Sequence, residues 1–501
     1  MYVCIMVVAG FVGMRSVRNS DDFATARKSY GPWFLAFAVV ATTASGATFL
    51  GIPGIVYSDG VAGLWFAIVY PFGVYTGIVI CARIVAHAGE NFGTRTIPEY
   101  LGHRYQSDFL RVASSIFSLL LLFHLAAQLL AGSVMFQQLL GMPEFYGLVV
   151  TSGILLLYIV LGGAHSDILT DGVQGTIMVA ISFVVIGLFL TGFGIDRRGD
   201  GVLEQLATLD PNTVKIFNPE SLIVGGWWAV FCIWFSHVPL GMLPHIGNKI
   251  WALDSPANRK KFLTITFVLG LILPALALGG LSARAILGDV LTVGDQSPNN
   301  AIPALFVTVL PTWLAAFLGT GILCAVMSTA DGLAVAASQI FANDIYRCTL
   351  AKGKSAEHID RVALRISRVS TTIILILSVA MAWILRKTNI AIVVWLGIGG
   401  MTAALTGPML VGAVWARVTR PAAIAGFFVG ALVFAGASVL SVLIGEDTVS
   451  FGTWDPQFLN PFIRATYGGI VSAAVTTLVS LVSAPPQAAH IAALFGERSG
   501  R

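Results

Sequence analysis

Apolar runs of roughly helix-spanning length, separated by short polar segments, recur from one end of the 501-residue chain to the other. A helix rises about 1.5 Å per residue and needs about 20 apolar residues to cross about 30 Å of hydrocarbon. Thirteen stretches approach or meet that length: roughly 2–14, 33–57, 62–86, 110–139, 146–163, 172–194, 222–243, 262–286, 304–341, 364–385, 388–416, 422–444 and 462–483. The first is short, covering only about 20 Å at that rise. It is either thinned or tilted in from the edge, or the true start lies upstream. The pattern predicts an all-α membrane protein of about 13 transmembrane helices.

Composition strengthens that reading. Hydrophobic residues make up 56% and charged residues 11% of the chain, with a mean hydropathy of +0.84. A soluble domain carries about 25% charged residues because its surface faces water, so this chain must use the lipid bilayer as solvent. The N-terminus lacks a signal-peptide pattern, because basic residues follow the first apolar run instead of preceding it. Four of the five cysteines, Cys4, Cys81, Cys232 and Cys324, lie in apolar runs and Cys348 in a basic loop, so neither a disulfide nor a Cys/His metal framework is indicated.

Charge fixes an expected orientation. With the N-terminus outside, the inner segments hold 22 Lys and Arg residues, Lys249 among them. The outer segments hold 7: Arg197, Arg198, Lys215, Arg284, Arg386, Lys387 and Arg464. This bias places the N-terminus outside and the C-terminus, with Arg498 and Arg501, in the cytoplasm of a bacterial inner membrane. The net charge of +4 is accounted for by these loops and does not indicate nucleic-acid binding. The longest connections, 195–221, 287–303 and 342–363, leave no soluble domain, and no GxxxxGK[ST] sequence occurs, so ATP-driven pumping is not expected. Nothing points to an enzyme or to an obligate protein partner.

Two spans read as interrupted. The second holds the small, hydroxylated run Ala41–Thr48 followed by Gly51-Ile-Pro-Gly54, and the seventh holds Pro239-Leu-Gly-Met-Leu-Pro244-His245-Ile-Gly247. Proline removes a backbone donor and clashes with the preceding turn, and glycine tolerates the backbone that results. Unwound backbone at membrane depth is stable only where it lines protein or a wet cavity. With the short span 1–14 set aside, the breaks fall in the first and sixth helices that follow. Matched breaks in two halves point to a 5+5 inverted repeat with a midplane site. The expected divisions are 1–14 for the short span, 33–194 and 222–416 for the two five-helix repeats, and 422–483 for two C-terminal helices. Residues flanking the breaks, Thr43, Ser45 and Gly46 at the first and Trp234, Ser236, His237 and Leu240 at the second, are the substrate-pocket candidates. Trp234 is equally a packing residue.

The ninth span offers an ion site. Ala325, Ser328 and Thr329 stand at i, i+3 and i+4 and share one helix face. Two hydroxyls and the Ala325 carbonyl, joined by carbonyls near Ala41 and Ala44, would give a shell of neutral oxygens suited to a hard monovalent cation. No buried charge is needed for it.

Several motifs resemble the sodium:solute symporter family. They are Thr96-Ile-Pro-Glu-Tyr100, Tyr158-Ile-Val-Leu-Gly-Gly163 with Thr170-Asp171-Gly-Val-Gln174, Leu243-Pro-His245, and Ala325-Val-Met-Ser-Thr329 followed by Asn343-Asp344-Ile-Tyr-Arg347. Gly407-Pro408 and Trp415-Ala-Arg-Val-Thr-Arg420 follow in the same order. The resemblance implies the leucine-transporter fold, Na+ as coupling ion, and a sodium site of Ala41, Ala44 and Ala325 by carbonyl with Ser328 and Thr329 by hydroxyl. Proline-carrying members have an aspartate where this chain has Thr43 and an aromatic near Leu240, and both are absent here. The overall texture is closer to pantothenate and monocarboxylate carriers.

Other polar groups keep two readings each. Asp171 is a helix N-cap or takes part in ion release. Asp331 is a residue facing water in the inner vestibule or marks a proton route. His124 and Gln128, at i and i+4, suit interhelical hydrogen bonding or substrate contact, His245 caps inner-side backbone or titrates, and Asp344 with Arg347 forms a short inner ion pair or a loop anchor. The function expected is sodium-coupled import of a small organic solute by alternating access, best a carboxylate such as pantothenate or a monocarboxylate. Proton coupling, an amino acid such as proline as cargo, and a transporter-like sensor are the alternatives.

Overall fold

The computed structural model describes residues 2–195, 201–293, 296–388, 390–446, 448–450 and 452–496. Arg197, Arg198, Arg498 and Arg501 lie outside the described residues. Among those described, the chain is helical, with a single isolated bridge between Tyr30 and Leu253. Nine helices are long and apolar enough to cross a membrane, and a tenth span forms if the bent pair Trp227–Met242 and Pro244–Ala252 is taken as one. Cys4–Ser16, Pro32–Thr43 and Glu144–Val160 are shorter apolar helices. Length and composition thus support a multi-pass bundle without fixing the count at thirteen.

Both expected interruptions are present. Gly31 opens the first helix with Pro32 at its first turn, and the helix runs from Pro32 to Thr43. Ala44 then leaves helical geometry at φ −92°, ψ 79°, and a π-helical turn, Ala47–Gly51, leads into Ile52–Asp59. The second interruption follows Trp227–His237. A 3-10 turn, Pro239–Met242, ends at Leu243, which is extended at φ −63°, ψ 154° because the residue before a proline is excluded from the helical region. The chain resumes at Pro244 and bends by 53°. The neighbouring helix Leu64–Phe92 lies tight against this break. A Cβ on Gly77 would sit 1.8 Å from the Val238 carbonyl oxygen.

Three expected boundaries are corrected. The span placed at 172–194 begins about ten residues earlier, because Gly163 at φ 49°, ψ −136° turns one helix directly into the next without a loop. Residues 164–171, polar enough to resemble a loop, are helical, so Asp171 is not an N-cap. The span placed at 304–341 divides at Pro311 into Ala301–Val309 and Thr312–Gln339. The latter continues as a π-helix, Ile340–Leu350. The connection placed at 342–363 is largely taken up by this extension and by the start of Ala356–Leu385.

Thr312–Gln339 is the helix that positions the site. Its residues from Cys324 to Gln339 are buried throughout, and it packs on Pro32–Thr43, Leu121–Leu140 and Glu144–Thr191. Pro32–Thr43 in turn approaches the Gly162–Thr191 helix closely, since a Cβ on Gly175 would lie 2.5 Å from the Phe37 carbonyl oxygen.

Candidate functional site

The contact between Thr312–Gln339 and the end of Pro32–Thr43 gathers most of the proposed ion ligands. Ser328 Oγ donates to the Ala41 carbonyl at 2.9 Å and lies 3.2 Å from that of Ala325. Thr329 Oγ1 donates to the Thr42 carbonyl at 2.9 Å and lies 3.2 Å from the same Ala325 oxygen. Ala41, Ala325, Ser328 and Thr329 are 2% exposed or less. The helix ends where it does because Thr43 is followed by a residue off the helical line, which frees the last carbonyls of their intrahelical donors. Ala44 sits at that C-cap, where only its N–H, bonded to the Val40 carbonyl, has a defined role. The oxygens assembled are carbonyls and hydroxyls, neutral and hard, and this donor chemistry fits a sodium ion. Thr42, absent from the expected set, meets Thr329 through its carbonyl.

The rest of the first break is polar and paired. Gly46 N donates to Gln128 Oε1 at 2.7 Å, the interhelical hydrogen bond expected of Gln128. Thr43 Oγ1 and Tyr75 Oη are 2.8 Å apart, Thr48 Oγ1 and Tyr70 Oη 3.2 Å. Ser45 Oγ accepts from Ala47 N at 3.2 Å. At the second break, Ser236 and His237 both bond back to the Ile233 carbonyl, at 3.1 Å and 2.6 Å. His237 packs among Phe66, Tyr70, Trp395 and Phe462, and Leu240 is buried. Trp234 packs tilted on Phe231 and edge to face on Phe235 of its own helix, the packing alternative. His124 and His245 face each other edge to face at 5.4 Å. Both ring nitrogens of His124 and Nδ1 of His245 are buried without a partner, so His245 does not cap backbone through that atom.

Next to the hydroxyl pair lies a buried charge cluster that sequence reasoning only half found. Asp167, Asp171 and Asp331 are 3% exposed or less, and their carboxylate oxygens lie within 4.8 Å of one another. Lys249 Nζ reaches Asp171 Oδ2 at 2.5 Å, Asp167 at 3.0 Å and Thr42 Oγ1 at 2.5 Å. Asp331, expected to face water, is 0% exposed. It accepts from Tyr158 Oη and Thr170 Oγ1, each at 3.2 Å, and from Gly332 N at 2.8 Å. Lys249, assigned to an inner loop, is 4% exposed inside the bundle. Asp167 and Asp171 stand at i and i+4, and that spacing, with a solitary lysine in the apolar stretch after Pro244, was the available signal.

Two of the sequence motifs meet at one corner of the bundle. Thr96 caps the helix Ile97–Tyr105 by accepting from Glu99 N, and its hydroxyl donates to Asp344 Oδ1 at 2.6 Å. Asn343 Nδ2 bridges Glu99 and Asp344 at 3.1 Å and 3.0 Å. Burial raises the Glu99 carboxyl above its ordinary range, while His103 and Asn343 draw it back. Asp344 thus answers Thr96, Asn343 and Arg111, whose guanidinium reaches its backbone carbonyl, and not the expected Arg347.

Comparison with known proteins agrees with this architecture. The model of the sodium:solute symporter family matches residues 23–430. The sodium/proline symporter of Escherichia coli (strain K12) is 26% identical over 449 residues, covering 86% of this chain and 85% of that protein. The sodium/pantothenate symporter of Haemophilus influenzae is also 26% identical, over 461 residues that cover 90% and 91%. A Na+-coupled sialic acid symporter in a substrate-bound outward-open state matches over 97% of both chains with a TM-score of 0.76 at 19% identity, and the fold is of the leucine-transporter type. A family match over most of its length, on a helical bundle broken twice, makes this chain a member of the sodium:solute symporter family, with Na+ as coupling ion.

Proposed function

We propose that the chain carries a small organic carboxylate, such as pantothenate or a monocarboxylate, together with sodium into a bacterial cell. The observation that carries this reading is the seating of the Ser328 and Thr329 hydroxyls on the Ala41 and Thr42 carbonyls at 2.9 Å. Sodium would be held by those four oxygens, with the carbonyls of Ala325 and Ala44. The ligands come from two different helices, so the ion favours the arrangement in which they touch. An ion shifts a conformational equilibrium only by its differential affinity for the two states.

The solute class rests on the first break. Gln128 Oε1 already accepts from the Gly46 N–H where the second half-helix begins. An oxygen acceptor is therefore favoured there, and a solute carboxylate would compete for the same donor end. Thr43, Ser45, Gly46, Ser236, His237 and Leu240 are the proposed surroundings, with the unpaired nitrogens of His124 and His245 as further contacts. Sequence similarity favours neither cargo, since proline and pantothenate symporters are equally identical to the chain. Thr43 and Leu240 in place of an acid and an aromatic favour the carboxylate. The two breaks fit repeats at 33–194 and 222–416, and the basic bias fits an outside N-terminus.

Uptake into proteoliposomes tests the reading. A radiolabelled panel of pantothenate, acetate, pyruvate, lactate, proline and a neutral sugar would be offered with an inward sodium gradient and with potassium substituted. Sodium-dependent uptake of one carboxylate, lost in Ser328→Ala/Thr329→Ala, is the expected result. Equal uptake in potassium would sink the ion assignment, and selective uptake of proline would sink the cargo.

A further inference from the structure

The acidic cluster beside the sodium ligands already contains a positive charge. Lys249 projects from the far side of the second break, and its ammonium lies 2.5 Å from Asp171, 3.0 Å from Asp167 and 2.5 Å from Thr42 Oγ1. The two acids sit on the Gly162–Thr191 helix and Thr42 on the first interrupted helix. One cation therefore ties three helices at once, two of them interrupted.

The connection to the sodium ligands runs through a single residue. Thr42 accepts from the ammonium at its hydroxyl oxygen and from Thr329 Oγ1 at its carbonyl. Asp331, two residues beyond Thr329, belongs to the same group of carboxylates but is answered by hydrogen-bond donors from Tyr158, Thr170 and Gly332. Asp171 takes the ammonium and the Thr42 hydroxyl on its Oδ2, at 2.5 Å and 2.7 Å, and its Oδ1 is buried with no partner. Hard oxygens of carboxylates and a hydroxyl, closed away from water, are what a sodium ion or an ammonium group both accept. A buried carboxylate with neither a cation nor a proton is strongly unfavourable, and here the ammonium supplies the compensating charge.

We propose that Lys249 is a tethered counter-cation that takes the place of a second coupling ion, so that the transporter binds one sodium where its acidic cluster would otherwise hold another. The inference rests on the reading that Ser328 and Thr329 hold the first sodium. It accounts for why carboxylates stand beside a site built from neutral oxygens. A tethered ammonium is bonded in place and does not have to be carried across. Because the ammonium reaches both interrupted helices through Thr42, it also holds the Thr42 carbonyl at the position where Thr329 meets it.

Equilibrium binding of radiolabelled sodium to the purified full-length protein tests this, because a purely structural lysine would not change the number of ions bound. The wild type is expected to bind one sodium per chain. Lys249→Ala is expected to bind a second one, in the pocket the ammonium leaves. Lys249→Ala/Asp171→Asn, which removes the two charges together, and Lys249→Arg are each expected to bind one. A wild type that binds two, or a folded Lys249→Ala that still binds one, overturns the proposal. If Lys249→Ala does not fold in potassium, its purification in sodium decides: recovery of the folded variant in sodium but not in potassium supports the proposal, and no recovery in either overturns it. Ser328→Ala/Thr329→Ala separates the two readings. If the wild-type sodium survives that change, the assignment of the first site fails, while the count in the lysine variants still reports on Lys249.

Discussion

Thr329 meets Thr42 across two helices, its Oγ1 donating to the Thr42 carbonyl at 2.9 Å, while the Thr42 hydroxyl turns the other way to Lys249 at 2.5 Å. One residue at the end of a broken helix thereby belongs to two sites of opposite character. On one side are neutral oxygens, on the other a buried ion pair. Movement of the Pro32–Thr43 helix relative to Thr312–Gln339 would separate Thr42 from Thr329 and disturb both, which is how a local ion contact can report on the state of the whole bundle.

The hydroxyls can be tested one at a time. Ser328→Ala and Thr329→Ala each remove one oxygen from the proposed sodium shell and one hydrogen bond to the first broken helix. A buried group left without its partner costs about 1–3 kcal/mol, so each change is expected to weaken sodium roughly tenfold or more. The sodium concentration giving half-maximal solute uptake measures it. Thr329→Ser, which keeps the hydroxyl, is expected to stay close to wild type. A common loss in Thr329→Ser and Thr329→Ala would point to packing of the methyl group instead.

Much of this site was legible in the sequence, because interruptions and hydroxyl pairs are local signals. Pro239 and Pro244 announce the second break, Ser45 and Gly46 the first, and the i, i+3, i+4 spacing of Ala325, Ser328 and Thr329 places them on one face. Lys249 and Asp167 were not legible. Hydropathy assigns a charged residue to water, and a lysine near the basic run Arg259-Lys-Lys261 was counted with that loop. Only the fold shows that Lys249 pairs with Asp167 and Asp171 at depth. Gly163 hid the boundary for a related reason: its positive φ turns one helix directly into the next, and the polar residues 164–171 that resemble a linker are helical.

The second break can be tested through its packing. Gly77 faces the Val238 carbonyl so closely that a Cβ would stand 1.8 Å from it. Gly77→Ala must push Leu64–Phe92 away from Val238, and overpacking of this kind costs about 1–3 kcal/mol. A lowered Tm in detergent and loss of uptake are expected. Gly153→Ala, where nothing lies within 4 Å of the new Cβ, is expected to leave both unchanged. Equal behaviour of the two variants would show that the close approach of Gly77 to Val238 does not hold the break in place.

Gln128 distinguishes a carboxylate cargo from a neutral one. Its amide oxygen accepts from Gly46 N at 2.7 Å, at the donor end of the second half-helix. Gln128→Glu keeps the shape and the acceptor but adds a negative charge. Two like charges about 4 Å apart repel by about 4 kcal/mol at an effective dielectric constant near 20. The KM of an anionic solute is therefore expected to rise at least tenfold, and that of a neutral solute to change far less. Initial uptake rates at saturating sodium give both values. An unchanged KM for the transported carboxylate would remove the half-helix end from the binding site.

The ion pair itself predicts a pattern of stabilities. Lys249 is 4% and Asp171 0% exposed, so neither side chain has water to fall back on when the other is lost. Removing one partner of a buried pair costs about 3–5 kcal/mol, whereas replacing both by uncharged groups is far less harmful. Lys249→Met and Asp171→Asn are each expected to lower Tm, and the double variant to lose clearly less than the sum of the two. The cycle has a built-in check, because Asp167 also touches the ammonium at 3.0 Å. In Asp171→Asn the lysine keeps that second acid, so this variant is expected to be less damaged than Lys249→Met, which strands two carboxylates at once. The opposite order, or strict additivity in the double variant, would mean that Lys249 and Asp171 stabilise the bundle independently and that the ammonium does not bind Thr42, Asp167 and Asp171 as one unit.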